Sequence, residues 1–360
     1  MPLKRLPTTR RLRWIGLGVL LGAGLLALSG CSQVGYLWQA AVGQSELLTR
    51  ARPIPDVIAD PATPAELRRQ LTLIQDVRRY ASESLGLPDN STFTGYSDLK
   101  RPFLVWNVFA APPLSDTLRT YCFPIAGCVP YRGYFSQAAA DSEAARLRAQ
   151  GDDVSVGGVS AYSTLGRFSD PIPSTLLRGG DETLIRTVIH ELAHQVVYVQ
   201  NDTAFNESFA VAVETAGAQR YAAARGLPVP DQTTARTRAA QINALLLGTR
   251  TRLAALYASD VPDSEKRAKK VDTLNETRQQ YAALKASWDG YSGYDGWFSD
   301  TPNGLNNALL GSVAAYADHV PVFLELLARH GGDFPAFYAA VKVCAALPPN
   351  ERLACLQPSS

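Results

Sequence analysis

The first 30 residues contain no acid at all, histidine occurs only four times in 360 residues, and cysteine five times. Each scarcity excludes something. Lys4, Arg5, Arg10, Arg11 and Arg13 stand unopposed in that leader, so the formal charge of +2 becomes −3 once they are set aside. A mildly acidic body offers no electrostatic reason to expect nucleic acid as a partner. No apolar run reaches the roughly 20 residues that a bilayer-spanning helix needs, and no self-similar period is present. A polytopic membrane protein and a solenoid are thereby excluded. What is there is ordinary globular material, 46% hydrophobic and 19% charged, enough for one large domain or two of average size.

The longest apolar run, residues 14–28, follows the basic stretch and is interrupted by glycines. That is the make-up of a signal-peptide h-region. Leu28-Ser29-Gly30-Cys31 then resembles a bacterial lipobox. The resemblance implies that residues 1–30 are removed and that Cys31 carries the lipid that attaches the protein to a membrane. Ser32, rather than Asp, implies the outer membrane, with the protein facing the periplasm of the bacterial cell envelope. Cys122, Cys128, Cys344 and Cys355 remain, an even number for an oxidising compartment. Local pairing, Cys122 with Cys128 and Cys344 with Cys355, is the simplest of three connectivities. Neither spacing is a zinc knuckle.

The expected organisation is a tether over residues 31–62, extended where prolines gather, followed by a single domain over 63–360. Thr63-Pro64-Ala65-Glu66 reads as a capping box. Leu67, Leu71, Ile74, Val77, Ala81 and Leu85 make the buried stripe of the helix it starts, and Gly86 and Pro88 stop it. Residues 91–135 read as short strands and turns, Ser136 to Gln150 as a helix, and Val154 to Val159 as a strand near an exposed edge. From Asp181 onward the pattern is almost continuous helix. It includes an antiparallel hairpin over 232–290 broken at Pro262, and a final pair over 304–329 and 334–345. The charge cluster Glu265 to Lys270 reads as a solvated helix face. The fold class is α+β, predominantly helical, with a small sheet before the helix that begins at Asp181.

That helix, drawn to Gln200, contains His190-Glu191-Leu192-Ala193-His194, an H-E-x-x-H motif built from two of the four histidines. Residues four apart stack on one helix face, so both imidazoles can reach one Zn²⁺. Glu191, about 100° round the helix, falls beside the metal, where a general base belongs. A catalytic zinc needs a third protein ligand. Asn201-Asp202 reads as a turn and cap before the next helix, and the midpoint between His194 and Glu207 falls on it. Glu207 should therefore face His194 across the hairpin. Glu214, two turns further, can accept a hydrogen bond from a ligand histidine.

His190-Glu191-Leu192-Ala193-His194-Gln195 with Asn206-Glu207-Ser208-Phe209-Ala210 and Glu214 resembles the gluzincin metallopeptidases, above all their zinc aminopeptidases. The resemblance implies a zincin-like core and one zinc per chain on His190, His194 and Glu207. It gives Glu191 as base and Glu214 as the support of a ligand. Gly43-Gln44, Arg101 to Ala110, Cys122 to Cys128 and Ala161 to Gly166 extend it to a bacterial family of zincin aminopeptidases with lipoprotein-like leaders. Two departures stand out. The loop between His194 and Glu207 is shorter than in the established enzymes, and there is no G-A-M-E-N segment, the piece that contacts the free α-amine.

The reading is thus a zinc peptide hydrolase of the cell envelope, with a peptide or protein as substrate and the membrane reached through Cys31. An endopeptidase that trims envelope proteins, and a zinc-stabilised scaffold without activity, stay open as alternatives. Val154 to Val159 is the strand on which a peptide would lie extended. Tyr162, Tyr221 and Tyr316 are candidates to stabilise the oxyanion.

Overall fold

The computed structural model describes residues 34–123, 127–227, 233–317 and 319–357. The leader and Cys31 lie outside them. Among the described residues no helix is long and apolar enough to cross a membrane. The chain divides into two units, Met1–Glu46 and Leu47–Ser360. A helix α1 over residues 34–49 stands where a tether was expected.

β1 (Arg52–Pro53) and α2 (Ile54–Ala59) follow, so the proline-rich stretch is in part helical, with Pro55 in the first turn of α2. α3 (Ala65–Leu85) buries Leu71, Ile74, Val77, Ala81 and Leu85, the stripe read from the sequence, and Gly86 ends it in a left-handed conformation. Its start differs from expectation. Pro64 is the N-cap residue and no side chain caps the helix, because the Thr63 hydroxyl donates to the Val57 carbonyl at 2.7 Å instead.

β2 (Gly95–Ser97), β3 (Val105–Ala111), β4 (Tyr121–Phe123), β5 (Gly127–Val129) and β6 (Tyr131–Tyr134) come next. α4 (Gln137–Ala149), capped by Ser136, leads to β7 (Asp153–Val159) and β8 (Ile172–Pro173). β3 is central to an antiparallel sheet in the order β6-β3-β7 and is buried along its whole length. β7 forms one edge of that sheet, with Gly157 and Gly158 exposed. β4 and β5 form a hairpin whose paired Cys122 and Cys128 are joined as a disulfide.

The helical half consists of α5 (Gly180–Ala193), α6 (Thr203–Ala224), α7 (Thr233–Ala258), α8 (Asp263–Ser287) and a short α9 (Asp295–Phe298). α10 (Asn307–Ala317), α11 (Val320–Arg329), α12 (Phe334–Ala345) and α13 (Pro349–Leu356) complete it. α7 and α8 are the expected hairpin around Pro262. The helix expected over 304–329 is two, because Pro321 cannot sit in a helix interior and instead occupies the first turn of α11. Cys344 and Cys355 join α12 to α13. The protein is therefore α+β and predominantly helical, and its two disulfides are bonds that an oxidising, extracytoplasmic compartment sustains.

One large core gathers α3, α5, α6, α11 and α12, with Phe209 at its centre against Phe323, Phe337 and Tyr338. Gly217 lets the helices approach, since a Cβ there would lie 2.8 Å from Leu85 and 3.1 Å from Ile189. α6 is thereby pressed against α5.

Candidate metal centre

α5 is apolar on the side that meets the core and places His190 in its last turn, with His194 as its C-cap residue. The helix ends at Ala193, seven residues short of expectation. Asn206 explains why. Its carboxamide accepts from the Val199 N–H at 2.7 Å and donates to the Val199 carbonyl at 2.7 Å, taking the backbone groups a longer helix would use. Asp202 caps α6 by accepting from Phe205 N at 3.1 Å. The resulting turn folds α6 back along α5 and brings Glu207 opposite both histidines.

The Nε2 atoms of His190 and His194 lie 3.2 Å apart. Glu207 Oε2 is 3.4 Å from the first and Glu207 Oε1 3.8 Å from the second. Two nitrogens at zinc bond lengths on a tetrahedron stand about 3.3 Å apart, so the donor set fits one divalent cation. On its outer side His190 Nδ1 meets Glu214 Oε2 at 3.0 Å, the contact that turns Nε2 toward a metal. Arg186, one turn before His190, in turn donates to Glu214 Oε1 through Nε at 3.1 Å. Its role was not read from the sequence, although its spacing of four from His190 was visible.

The charges agree with this geometry. Burial opposes a charge on His190, but the hydrogen bonds it donates to Glu207 and Glu214 outweigh it and hold the imidazolium well above its ordinary pKa. Burial pushes His194 down to about 4. Glu207 and Glu214 stay below the usual carboxylate range despite burial, through hydrogen bonds with His190. Burial pushes Glu191 up to about 7, opposed by His190 and reinforced by Glu207 and Asp170. A buried cluster with this surplus of carboxylate is what a cation neutralises when it displaces the histidine proton.

One of the tyrosine candidates is placed elsewhere. Tyr221 lies four turns beyond Glu207 along α6 and donates to Asp76 at 2.9 Å. Tyr162 packs edge-on against Phe135. Tyr316 belongs to α10, and its side chain is outside the described ones. The phenol found beside the histidines is Tyr198, whose ring centroid is 6.4 Å from that of His194. Its spacing of four from His194 was the signal available in the sequence.

The surrounding segments converge on the same turn. Thr164 donates to Asp170 through both N and Oγ1 at 2.7 Å, shaping a loop in which Gly166 (φ +73°) comes so near that a Cβ would lie 2.9 Å from Gln195 Oε1. Cys128 N donates to Asn201 Oδ1 at 2.6 Å, and Arg352 of α13 donates to Asp202 Oδ2 at 2.7 Å. A model of the protein family described as "Putative aminopeptidase" matches residues 35–356. The chain belongs to this family. The aminopeptidase family match takes in every site residue named from His190 to Glu214, together with both disulfides. No curated protein and no solved structure matches the chain.

Proposed function

We propose that this member of the aminopeptidase family is a zinc-dependent peptide hydrolase of the bacterial cell envelope, acting as an aminopeptidase and held at the outer membrane by a lipid on Cys31. The observation that carries the reading is the convergence of His190, His194 and Glu207 within 4.8 Å of one another, with Glu191 buried next to them. These three residues would hold the ion, one per chain. When bound, Zn²⁺ supplies Lewis acidity, polarising a peptide carbonyl and making water easier to deprotonate.

The remaining roles belong to the chain. Glu191 takes a proton from the attacking water and delivers it to the departing amine as the C–N bond breaks, and burial gives it a pKa of about 7, suited to both transfers. Tyr198, whose phenol burial keeps protonated, donates to the carbonyl oxygen as it gains charge. Glu214, braced by Arg186, orients His190.

The test is metal content and turnover on the same preparations. Glu191→Gln should keep one zinc per chain and lose peptide hydrolysis, whereas His194→Ala and Glu207→Ala should each lose the zinc. Zinc indifferent to Glu207, or turnover that survives Glu191→Gln, would sink the assignment. Cleavage of amino-terminally blocked peptides would replace the aminopeptidase with an endopeptidase.

A further inference from the structure

Helix α1 turns its apolar side to solvent. Val34, Leu37, Trp38 and Val42 are 67%, 51%, 71% and 50% exposed. At 100° per residue they share one face roughly 140° wide. A surface helix normally carries charge there, yet no charged residue occurs between Cys31 and Glu46. An exposed apolar face of this kind marks an interaction surface. Its place in the chain names the occupant. Only Ser32 and Gln33 separate Cys31 from the start of α1, and three extended residues span about 10 Å at most. A lipid on Cys31 would therefore hold the first turn of α1 within the depth of the headgroup layer.

We propose that α1 lies in the membrane interface, with Val34, Leu37, Trp38 and Val42 sunk into the boundary between headgroups and acyl chains. The proposal rests on the lipid-anchor reading above. Trp38 is the anchor, since an indole favours that boundary. With no Lys or Arg on the helix before Arg50, the contact is hydrophobic and indifferent to anionic lipid. It gives the protein a second hold on the bilayer and fixes the start of α1 at the surface, where acyl chains alone would leave a swivel.

The experiment uses the protein extracted from its own membranes and reconstituted into phosphatidylcholine vesicles whose acyl chains carry bromine near the headgroup. Trp38 emission is taken as the difference between the native chain and Trp38→Phe, and the mass of the amino-terminal peptide reports acylation of Cys31. The expected result is an acylated chain that loses most of its Trp38 emission, with no recovery in about 1 M salt, where exposed charges are screened. An acylated chain with unquenched Trp38 overturns the helix proposal and leaves the anchor standing. Quenching in a chain without acyl groups removes the anchor and keeps the helix in the membrane. If neither is found, both fall. If Trp38 is unquenched and Trp38→Gln converts a dimer to a monomer, the face binds a second copy of the chain, and the proposal is likewise overturned.

Discussion

Asn206 shows how much one carboxamide can position. It meets both backbone groups of Val199 while its neighbour Glu207 reaches the histidines, so the turn and the carboxylate that faces the histidines are set together. Asn206→Ala leaves the half-buried Val199 N–H without its partner, while the Val199 carbonyl keeps only the longer bond from Asp202 N at 3.3 Å. The substitution should cost about 1–3 kcal/mol for the unsatisfied group, read as a lower unfolding midpoint, and should weaken zinc binding against a competing chelator. Wild-type zinc affinity in the variant would show that the turn does not depend on this residue. Tyr198 is tested differently, because its proposed work is on the reacting carbonyl. Tyr198→Phe should lower kcat roughly 10²-fold, in the range for loss of one oxyanion donor, while zinc content stays unchanged. Full turnover in that variant would return the oxyanion role to an undetected group.

At the level of elements, periodicity made α3 and the α7–α8 hairpin legible, because each buries apolar residues at helical spacing, and the Asn201-Asp202 turn and cap marked the start of α6. The H-E-x-x-H spacing and the equidistance of His194 and Glu207 from Asn201-Asp202 made the site legible for the same reason, local geometry. What stayed hidden depends on distant partners. Lys270 sits in the charge cluster read as a solvated face, yet its ammonium reaches Asp153 at 2.6 Å and the Pro113 carbonyl at 2.9 Å, fastening α8 to β7. α5 ends early through a side chain twelve residues beyond His194, a contact no helical period contains. Asp76 provides a measurable case. From α3 its carboxylate accepts from Tyr221 and from Arg225 Nε at 2.6 Å, beside the end of α6, and the hydrogen bond from Arg225 holds it below the usual carboxylate range. A depressed folded-state pKa adds stability above the unfolded pKa, and that share disappears as pH falls through the folded value. The melting-temperature gap between the native protein and Asp76→Asn should therefore be full at pH 6 and shrink toward pH 3, estimates that follow from an unfolded Asp pKa of about 3.9. A gap that stays constant with pH would mean that the carboxylate adds nothing through its charge.

For the whole molecule, the two disulfide-bonded segments both hold the turn at Asn201-Asp202. The Cys122–Cys128 hairpin grips Asn201, and α13, held by Cys344–Cys355, grips Asp202. Replacing Cys344 and Cys355 by serine opens a loop of 11 residues, for which loop-closure entropy predicts a loss of about 3 kcal/mol. Zinc affinity should fall with it, and a chelator titration beside a denaturant curve would check both. Unchanged affinity would separate the staples from the site.

That shared grip bears on when the enzyme can act. Before export, in a reducing cytoplasm, neither staple forms, and the turn that sets Glu207 against His194 lacks its covalent backing. A newly made chain would thus carry a slack hinge at this turn, and oxidation outside the cytoplasm would tighten it.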